Sequence, residues 1–123
     1  MTQEEKQLLL IDLCGRLPYE VKFEFTRDNV RIAKGIDLRV TDEGKWEYFV
    51  TSKGASAVEI TEIKPYLRPM SSMTEEEYKE FGYDVLRYTP REFDWLNKHH
   101  FDYRRLIEKG LALEAPEGMY KTE

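Results

Sequence analysis

Apolar and polar residues alternate with a period of two through residues 21–61, and this alternation constrains the fold more than any other feature of the chain. The pattern is typical of half-buried β-strands, whose successive side chains point to opposite faces of a sheet. Four strand segments follow it, and short turns at 28–29, 42–44 and 53–54 can join them as hairpins. We therefore predict a four-stranded antiparallel sheet within residues 19–62.

The second segment, residues 30–40, is too long for one ordinary strand. Extended at about 3.3 Å per residue, it would span about 36 Å, roughly twice the length of a typical strand. Lys34 and Gly35 at its middle place a charge on the apolar side next to a residue without a side chain, which indicates a bulge or a sharp bend. We therefore expect a sheet with an SH3-like topology or another strongly curled form.

Helix signals precede the predicted sheet. Thr2 and Glu5 have the spacing of a capping box, and a wide apolar run follows them. Pro18 disfavours helical backbone at the residue before it. Residues 1–18 are therefore predicted to contain one helix, over about 3–16.

Further short elements are predicted after the sheet. Residues 63–73 form a proline-rich crossing segment that we do not expect to be a central strand, because each proline removes a backbone donor and fixes φ. Three short helices are predicted within residues 74–110, with start signals at Thr74, at Thr89 with Pro90, and at Asp102, and with an end at Gly110. Residues 111–123 form a tail whose Leu111 and Leu113 can dock. The whole chain, 1–123, is interpreted as a single α+β domain.

Composition limits the class of partner and the compartment. The 123 residues carry a net charge of −5 at pH 7, which disfavours a general binder of nucleic acid or of anionic membranes. The one cysteine, Cys14, lies in an apolar run and is expected to be a buried, reduced thiol. Residues 1–5 lack the basic character of a signal peptide, and no apolar run is long enough to span a membrane. We expect a soluble, cytoplasmic protein.

No motif in the sequence specifies a chemistry. The chain has no Gly-rich phosphate loop, no serine-nucleophile elbow and no Cys-x-x-Cys pair, so we expect a protein that is not an enzyme and that holds no cofactor or metal. His99 and His100 are adjacent, and adjacent positions do not share a helix face. We interpret both as polar side chains presented outward between two helices. A role as metal ligand or catalytic base for His99 or His100 is the weaker alternative.

Cations and aromatic residues are interleaved in residues 87–109, against the negative charge of the rest of the chain. Two short basic and aromatic helices can form a nucleic-acid-binding surface. The favoured interpretation is that the apolar residues pack and the cations lie in water. The candidate nucleic-acid contacts are Arg87, Arg91, Lys98, Arg104 and Arg105.

Aromatic residues fall on both sides of the predicted sheet. Trp46 and Tyr48 share one strand parity and Phe49 has the other, so one bulky ring faces away from the core unless both faces are covered. Coverage by helices is the expected outcome. If Phe49, Tyr66 and Met70 are exposed together, they form a candidate protein-binding patch.

Two stretches of the chain carry a resemblance. Residues 63–77 (IKPYLRPMSSMTEEE) and residues 93–104, with FDWLN followed by HHFDYR, resemble an uncharacterised family of short Bacteroidetes proteins often associated with prophage or mobile-element regions. The similarity extends over residues 106–120 and covers roughly half of the chain. It implies a phage or mobile-element origin, and it brings no activity, catalytic residue or ligand residue with it.

The sequence favours a non-enzymatic accessory or adaptor protein that binds another protein. The alternative is a nucleic-acid-associated protein that uses the five cations named above, and an enzyme that uses His99 or His100 ranks last. The oligomeric state stays open, because an uncovered strand edge can pair with a second copy of the chain.

Overall fold

Helices and strands are combined in an α+β arrangement. The computed structural model describes residues 1–25, 29–82 and 90–120. The α-helices in these ranges are α1 (Gln3–Arg16), α2 (Glu75–Phe81) and α3 (Pro90–Lys98). The strands in these ranges are β1 (Lys22–Glu24), β2 (Val30–Ile32), β3 (Gly35–Val40), β4 (Trp46–Ser52), β5 (Ala55–Glu59), β6 (Lys64–Leu67) and β7 (Leu113–Glu114). The predicted α+β class and the N-terminal helix are confirmed, whereas two sheets stand where one was predicted.

The first helix, α1, spans the predicted residues because its N-terminal cap is encoded locally. The Thr2 hydroxyl accepts a hydrogen bond from the Glu5 amide at 3.1 Å, and the Glu5 carboxylate accepts one from the Thr2 amide at 2.8 Å. This capping box satisfies two donors that the helix leaves free at its start. At the other end, Pro18 lies in a short 3₁₀ turn, Leu17–Tyr19, which follows the helix directly.

One face of α1 is buried, and Cys14 is not on it. The buried residues of the helix are Leu9, Asp12, Leu13 and Arg16. Each residue advances about 100° around a helix axis, so Cys14 is turned away from Leu13, and its side chain is exposed. The prediction of a buried thiol is therefore wrong, because the apolar run is wider than the face that packs.

The long predicted strand at residues 30–40 divides between the two sheets. The amide of Ala33 donates to the carbonyl of Val21 at 2.9 Å, whereas the next amide, that of Lys34, donates to the carbonyl of Thr51 at 2.8 Å. β2 therefore belongs to a sheet of order β2-β1-β6-β7, and β3 belongs to a second sheet of order β3-β4-β5. The strand that we expected to bulge or bend at Lys34 and Gly35 is interrupted at residues 33–34, and the interruption separates two sheets where we expected one sheet to curl.

β6 is an interior strand of the first sheet, which contradicts the predicted crossing segment. It pairs antiparallel with β1 through Lys64 and Pro65, and parallel with β7 through Tyr66 and Leu67. The two partners are offset along the strand, so no residue has a ladder partner on both sides. Pro65, which lacks an N–H, is thereby tolerated between two neighbouring strands.

The next two helices follow their predicted start signals. The Thr74 hydroxyl accepts from the Glu77 amide at 3.1 Å in a second capping box, and Gly82 ends α2 with a φ of 96°. α3 begins at Pro90 as expected. In the sequence, the spacing of Tyr78, Phe81 and Val85 predicts the packed face of this helix, but Tyr78 is exposed. Two residues used in these predictions, Val85 and Thr89, lie outside the described residues.

The predicted fourth helix, at residues 102–110, is a series of turns. The Asp102 carboxylate accepts hydrogen bonds from the amides of Leu106 at 2.8 Å and Ile107 at 2.9 Å, in place of a regular cap. Arg105 has a φ of 60°, and a residue in the left-handed region interrupts a right-handed helix. Gly110 adopts the predicted left-handed conformation with a φ of 76°. In the tail, Leu111 is buried as predicted.

One apolar core is shared by α1, both sheets and the segment after α3. Its members include Leu9, Leu13, Phe23, Val50, Val58, Ile60, Leu67, Leu106 and Leu111. None of the helices within residues 1–25, 29–82 and 90–120 has the length and apolar character needed to cross a bilayer.

Candidate functional site

Three exposed apolar side chains lie together on the hairpin formed by β3 and β4. Leu38 is 53% exposed, Val40 is 52% exposed and Trp46 is 67% exposed. Val40 lies directly opposite Trp46 across the two strands, and Leu38 lies opposite Tyr48. Cross-strand partners share a face of a sheet, and so do alternate residues of one strand. We call Leu38, Val40 and Trp46 the hairpin strip.

The hairpin strip continues a sheet face that is buried at its inner end. Val50 of β4 and Val58 of β5 are opposite each other and belong to the core. Ile36 and Tyr48, between them and the strip, pack against that core and are half-buried. The apolar face thus extends beyond the part of the molecule that covers it.

β3 is also an edge strand. It is the first strand in the order β3-β4-β5, and within the described ranges no strand pairs with its outer side. The amide of Thr41 donates to the carbonyl of Lys45 at 2.7 Å, so the backbone groups of Thr41 point towards β4. In an antiparallel ladder, residues whose backbone groups point towards the partner strand alternate with residues whose groups point away from it. It follows that the backbone groups of Ile36, Leu38 and Val40 point outward.

The face opposite the hairpin strip is charged. A guanidinium nitrogen of Arg39 donates to the Asp37 carboxylate at 2.8 Å, and both side chains are about half exposed. The same guanidinium lies 5.7 Å from the ring centroid of Phe49. The outer half of β3 thus has one apolar side and one side with balanced charge.

The predicted patch of Phe49, Tyr66 and Met70 is not an exposed unit. Phe49 lies in the second sheet, whereas Tyr66 is a buried residue of the first sheet whose hydroxyl donates to the Glu24 carboxylate at 2.6 Å. Met70 is half-buried in a short 3₁₀ turn, Met70–Ser72. On the strand that carries Phe49, β4, the exposed aromatic residue is Trp46.

The five candidate nucleic-acid contacts have different surroundings. Arg104 donates to the buried Asp12 carboxylate at 2.8 Å, so its guanidinium already forms an ion pair within the protein. Arg91, Lys98 and Arg105 are exposed. Arg87 lies outside the described residues. Binding of nucleic acid by the three exposed cations stays a prediction.

His99 and His100 are buried, contrary to the expectation that they point outward. His100 adopts a φ of 61°, and its ring stacks on that of Tyr120 with centroids 3.8 Å apart. Burial, together with the nearby Arg16 guanidinium, lowers the pKa of His100 to about 3, and burial lowers the pKa of His99 as well. Among the described residues, no group of three His, Cys, Asp or Glu side chains is placed to hold a metal ion.

A cleft of about 640 Å³ lies near the carboxyl-terminal end of β6. Its lining residues include Arg68 and Glu77, which form a two-point ion pair at 2.6 and 2.8 Å. The Arg68 guanidinium lowers the pKa of the Glu77 carboxyl to about 2. Tyr120, also in the lining, donates to the Tyr66 carbonyl at 2.8 Å, and burial raises the pKa of its hydroxyl. The side chains of Arg68, Glu77 and Tyr120 are thus already paired within the chain.

Comparisons with protein-family models, with curated proteins and with solved structures find no match for the chain. The resemblance of residues 63–77, 93–104 and 106–120 to short Bacteroidetes proteins stays a prediction. The surfaces described above therefore supply the basis for inferring function.

Proposed function

We propose that the chain is a non-enzymatic accessory protein that binds another protein through the hairpin strip. The observation that carries this proposal is the exposure of three neighbouring apolar side chains, Leu38, Val40 and Trp46, on one sheet face. Single exposed apolar residues are ordinary, whereas a contiguous group marks an interaction surface. Tryptophan in particular contributes strongly to binding energy at protein interfaces.

The inner end of the same sheet face favours an amphipathic helix as the bound segment. There, Val50 and Val58 share one core with Leu9 and Leu13 of α1. Packing of a helix stripe on a sheet is the usual way to bury an apolar sheet face. A partner helix with apolar residues three and four positions apart would bury the strip by packing its apolar stripe on it.

A phage or mobile-element origin belongs to the same proposal. It is supported by the resemblance of residues 63–77 and 93–104 alone.

The test begins with purification of the tagged chain from its host and identification of any protein present in stoichiometric amount. That protein, purified, is then titrated against the wild-type chain and against Trp46→Ser by fluorescence anisotropy. We expect Trp46→Ser to bind at least about tenfold more weakly, because a large apolar contact is lost. Trp46 is mostly exposed, so the variant should keep the circular dichroism spectrum of the wild type.

Tyr78→Ser is the matched control. Tyr78 is 49% exposed and belongs to α2, not to the hairpin strip, so its replacement should leave the affinity unchanged. Equal affinity of the wild type and of the double variant Leu38→Ser, Trp46→Ser would contradict the proposal. So would recovery of nucleic acid, or of no stoichiometric protein, with the chain.

A further inference from the structure

Along its outer edge, β3 has backbone N–H and C=O groups that pair with no other strand in the described ranges. β3 is the longest edge strand in the described ranges, with six residues, against five in β5, three in β2 and two in β7. β5 is also partly covered, because the Arg31 guanidinium donates to the Ser56 carbonyl at 3.3 Å. Proteins commonly protect such edges, since an open edge invites pairing with another chain.

In β3, Leu38 is flanked by two side chains of opposite charge. Residues 36–40 read Ile-Asp-Leu-Arg-Val, so an acid and a base flank Leu38, with one β-branched residue beyond each. If two copies of the strand run antiparallel with Leu38 opposite Leu38, then Asp37 of each copy lies opposite Arg39 of the other. The strand is thus complementary to itself, as a two-fold symmetric contact requires.

The direction of the backbone groups agrees with this register. Ile36, Leu38 and Val40 point their N–H and C=O groups to the open edge, so these residues would form the hydrogen-bonded pairs with a second copy. Asp37 and Arg39 would fall at the non-hydrogen-bonded positions, where opposing side chains approach most closely. The charges are therefore placed where they attract most.

The neighbouring registers are disfavoured by charge. Sliding one copy of β3 along the other by two residues, in either direction, keeps the same hydrogen-bonding pattern. One of these registers puts Asp37 opposite Asp37, and the other puts Arg39 opposite Arg39. Like charges directly opposite each other destabilise an antiparallel pair. Charge complementarity thus selects a second copy of this chain, in one register, as the occupant of the edge.

We propose that two copies of the chain associate through antiparallel pairing of β3, with Leu38 on the two-fold axis. The three strands of each copy would then form one continuous six-stranded sheet. Ile36 of one copy would contact Val40 of the other, and the two hairpin strips would form one symmetric apolar face. The inference uses the edge of β3 and holds independently of the partner proposed for the strip.

The association should be modest in strength, because contact along one six-residue edge is small for a specific interface. Sedimentation velocity from about 1 µM to about 1 mM spans the range in which such weak dimers form. The wild type is expected to rise from a monomer of 14.7 kDa towards twice that mass as its concentration increases.

Charge reversal tests the register. Asp37→Arg and Arg39→Asp should each weaken self-association at least tenfold, because every copy then carries two like charges at the edge. An equimolar mixture of the two variants should recover association as heterodimers. The double variant Asp37→Arg, Arg39→Asp should dimerise like the wild type, because it restores complementarity with the charges exchanged.

Glu62→Arg is the control, since Glu62 is exposed and lies outside β3. This reversal should leave self-association unchanged. A wild type that stays monomeric throughout would overturn the proposal, and so would single variants that associate like the wild type or a mixture without heterodimers. Trp46→Ser should still dimerise, so loss of partner binding and loss of dimerisation are measured separately.

Discussion

Asp12 and Arg16 lie one helical turn apart on α1, and neither side chain is accessible to solvent. The guanidinium donates to both carboxylate oxygens, at 2.8 and 3.0 Å, and to the carbonyl of Phe101 at 2.6 Å. Arg104 adds a further bond to the same carboxylate at 2.8 Å. These contacts connect the first helix to the segment that follows α3.

Asp12→Ala should destabilise the protein strongly. It leaves the buried Arg16 guanidinium without its counter-ion, and breaking a buried pair from one side costs about 3–5 kcal/mol. Urea unfolding at pH 7 measures the loss. Asp37→Ala, which removes an exposed carboxylate from the pair with Arg39, should change the free energy of unfolding by less than about 0.5 kcal/mol.

Replacing both partners separates charge from packing. Asp12→Leu with Arg16→Met should recover much of the stability lost in Asp12→Ala, because apolar residues of similar volume avoid burying an unpaired charge. If Asp12→Ala is no more destabilising than Asp37→Ala, the buried pair does not have the assigned role.

His100→Asn should reduce the dependence of stability on pH between 6 and 5. Burial lowers the pKa of folded His100 to about 3 from an ordinary value of 6.5, so the folded state keeps the ring neutral while the unfolded state takes up a proton. Its contribution to stability is complete above pH 6.5 and declines as the pH falls towards 3. In this range, the loss approaches about 1.4 kcal/mol per pH unit.

Asparagine suits this position because it tolerates the left-handed backbone of residue 100 better than most residues do. Urea midpoints at pH 6 and pH 5 should fall further for the wild type than for His100→Asn, by about 1 kcal/mol in unfolding free energy. Equal declines in the two proteins would show that His100 is not held neutral by the fold.

Glu77→Gln should cost about 1–2 kcal/mol at pH 7, because a two-point charged hydrogen bond to Arg68 is lost. The pKa of Glu77 is lowered to about 2, so the stabilising contribution of the carboxylate is complete above pH 4.5 and declines as the pH falls towards 2. The difference between wild type and variant should therefore narrow between pH 5 and pH 3. Glu76→Gln, at an exposed neighbouring position, should show no such difference.

Cys14 should react with a thiol reagent in the native protein. Its side chain is exposed, so one equivalent of Ellman's reagent should be consumed without denaturant. The free energy of unfolding of Cys14→Ser, measured in urea, should equal that of the wild type to within about 0.5 kcal/mol. A thiol that reacts only after unfolding would place Cys14 in the core.

Local sequence signals predicted the elements whose ends are determined by neighbouring residues. Thr2 with Glu5 and Thr74 with Glu77 mark the starts of α1 and α2, and Gly110 marks a left-handed position. Pairing between distant segments was not predictable in this way. Alternation shows that a strand has two faces, but it does not identify the neighbouring strand, so the position of β6 between β1 and β7 was missed.

The candidate site was readable only in part. Trp46 and Tyr48 share a strand parity in the sequence, but exposure of Trp46 depends on how far the core extends under the hairpin. The opposite charges on either side of Leu38 are visible in the sequence, whereas the edge position of β3 is a property of the fold. His99 and His100 lie in the turn that follows α3, and a histidine in the sequence does not signal the left-handed backbone that His100 adopts there.

The parallel pairing of β6 with β7 has a consequence for biosynthesis. The β3-β4-β5 sheet involves only residues 35–59, so its strands can meet soon after they leave the ribosome. β7 lies at Leu113–Glu114, and the other sheet cannot be completed until these residues have been translated, about 50 residues after β5. A nascent polypeptide that stalls before this point would present an unfinished sheet to chaperones and proteases.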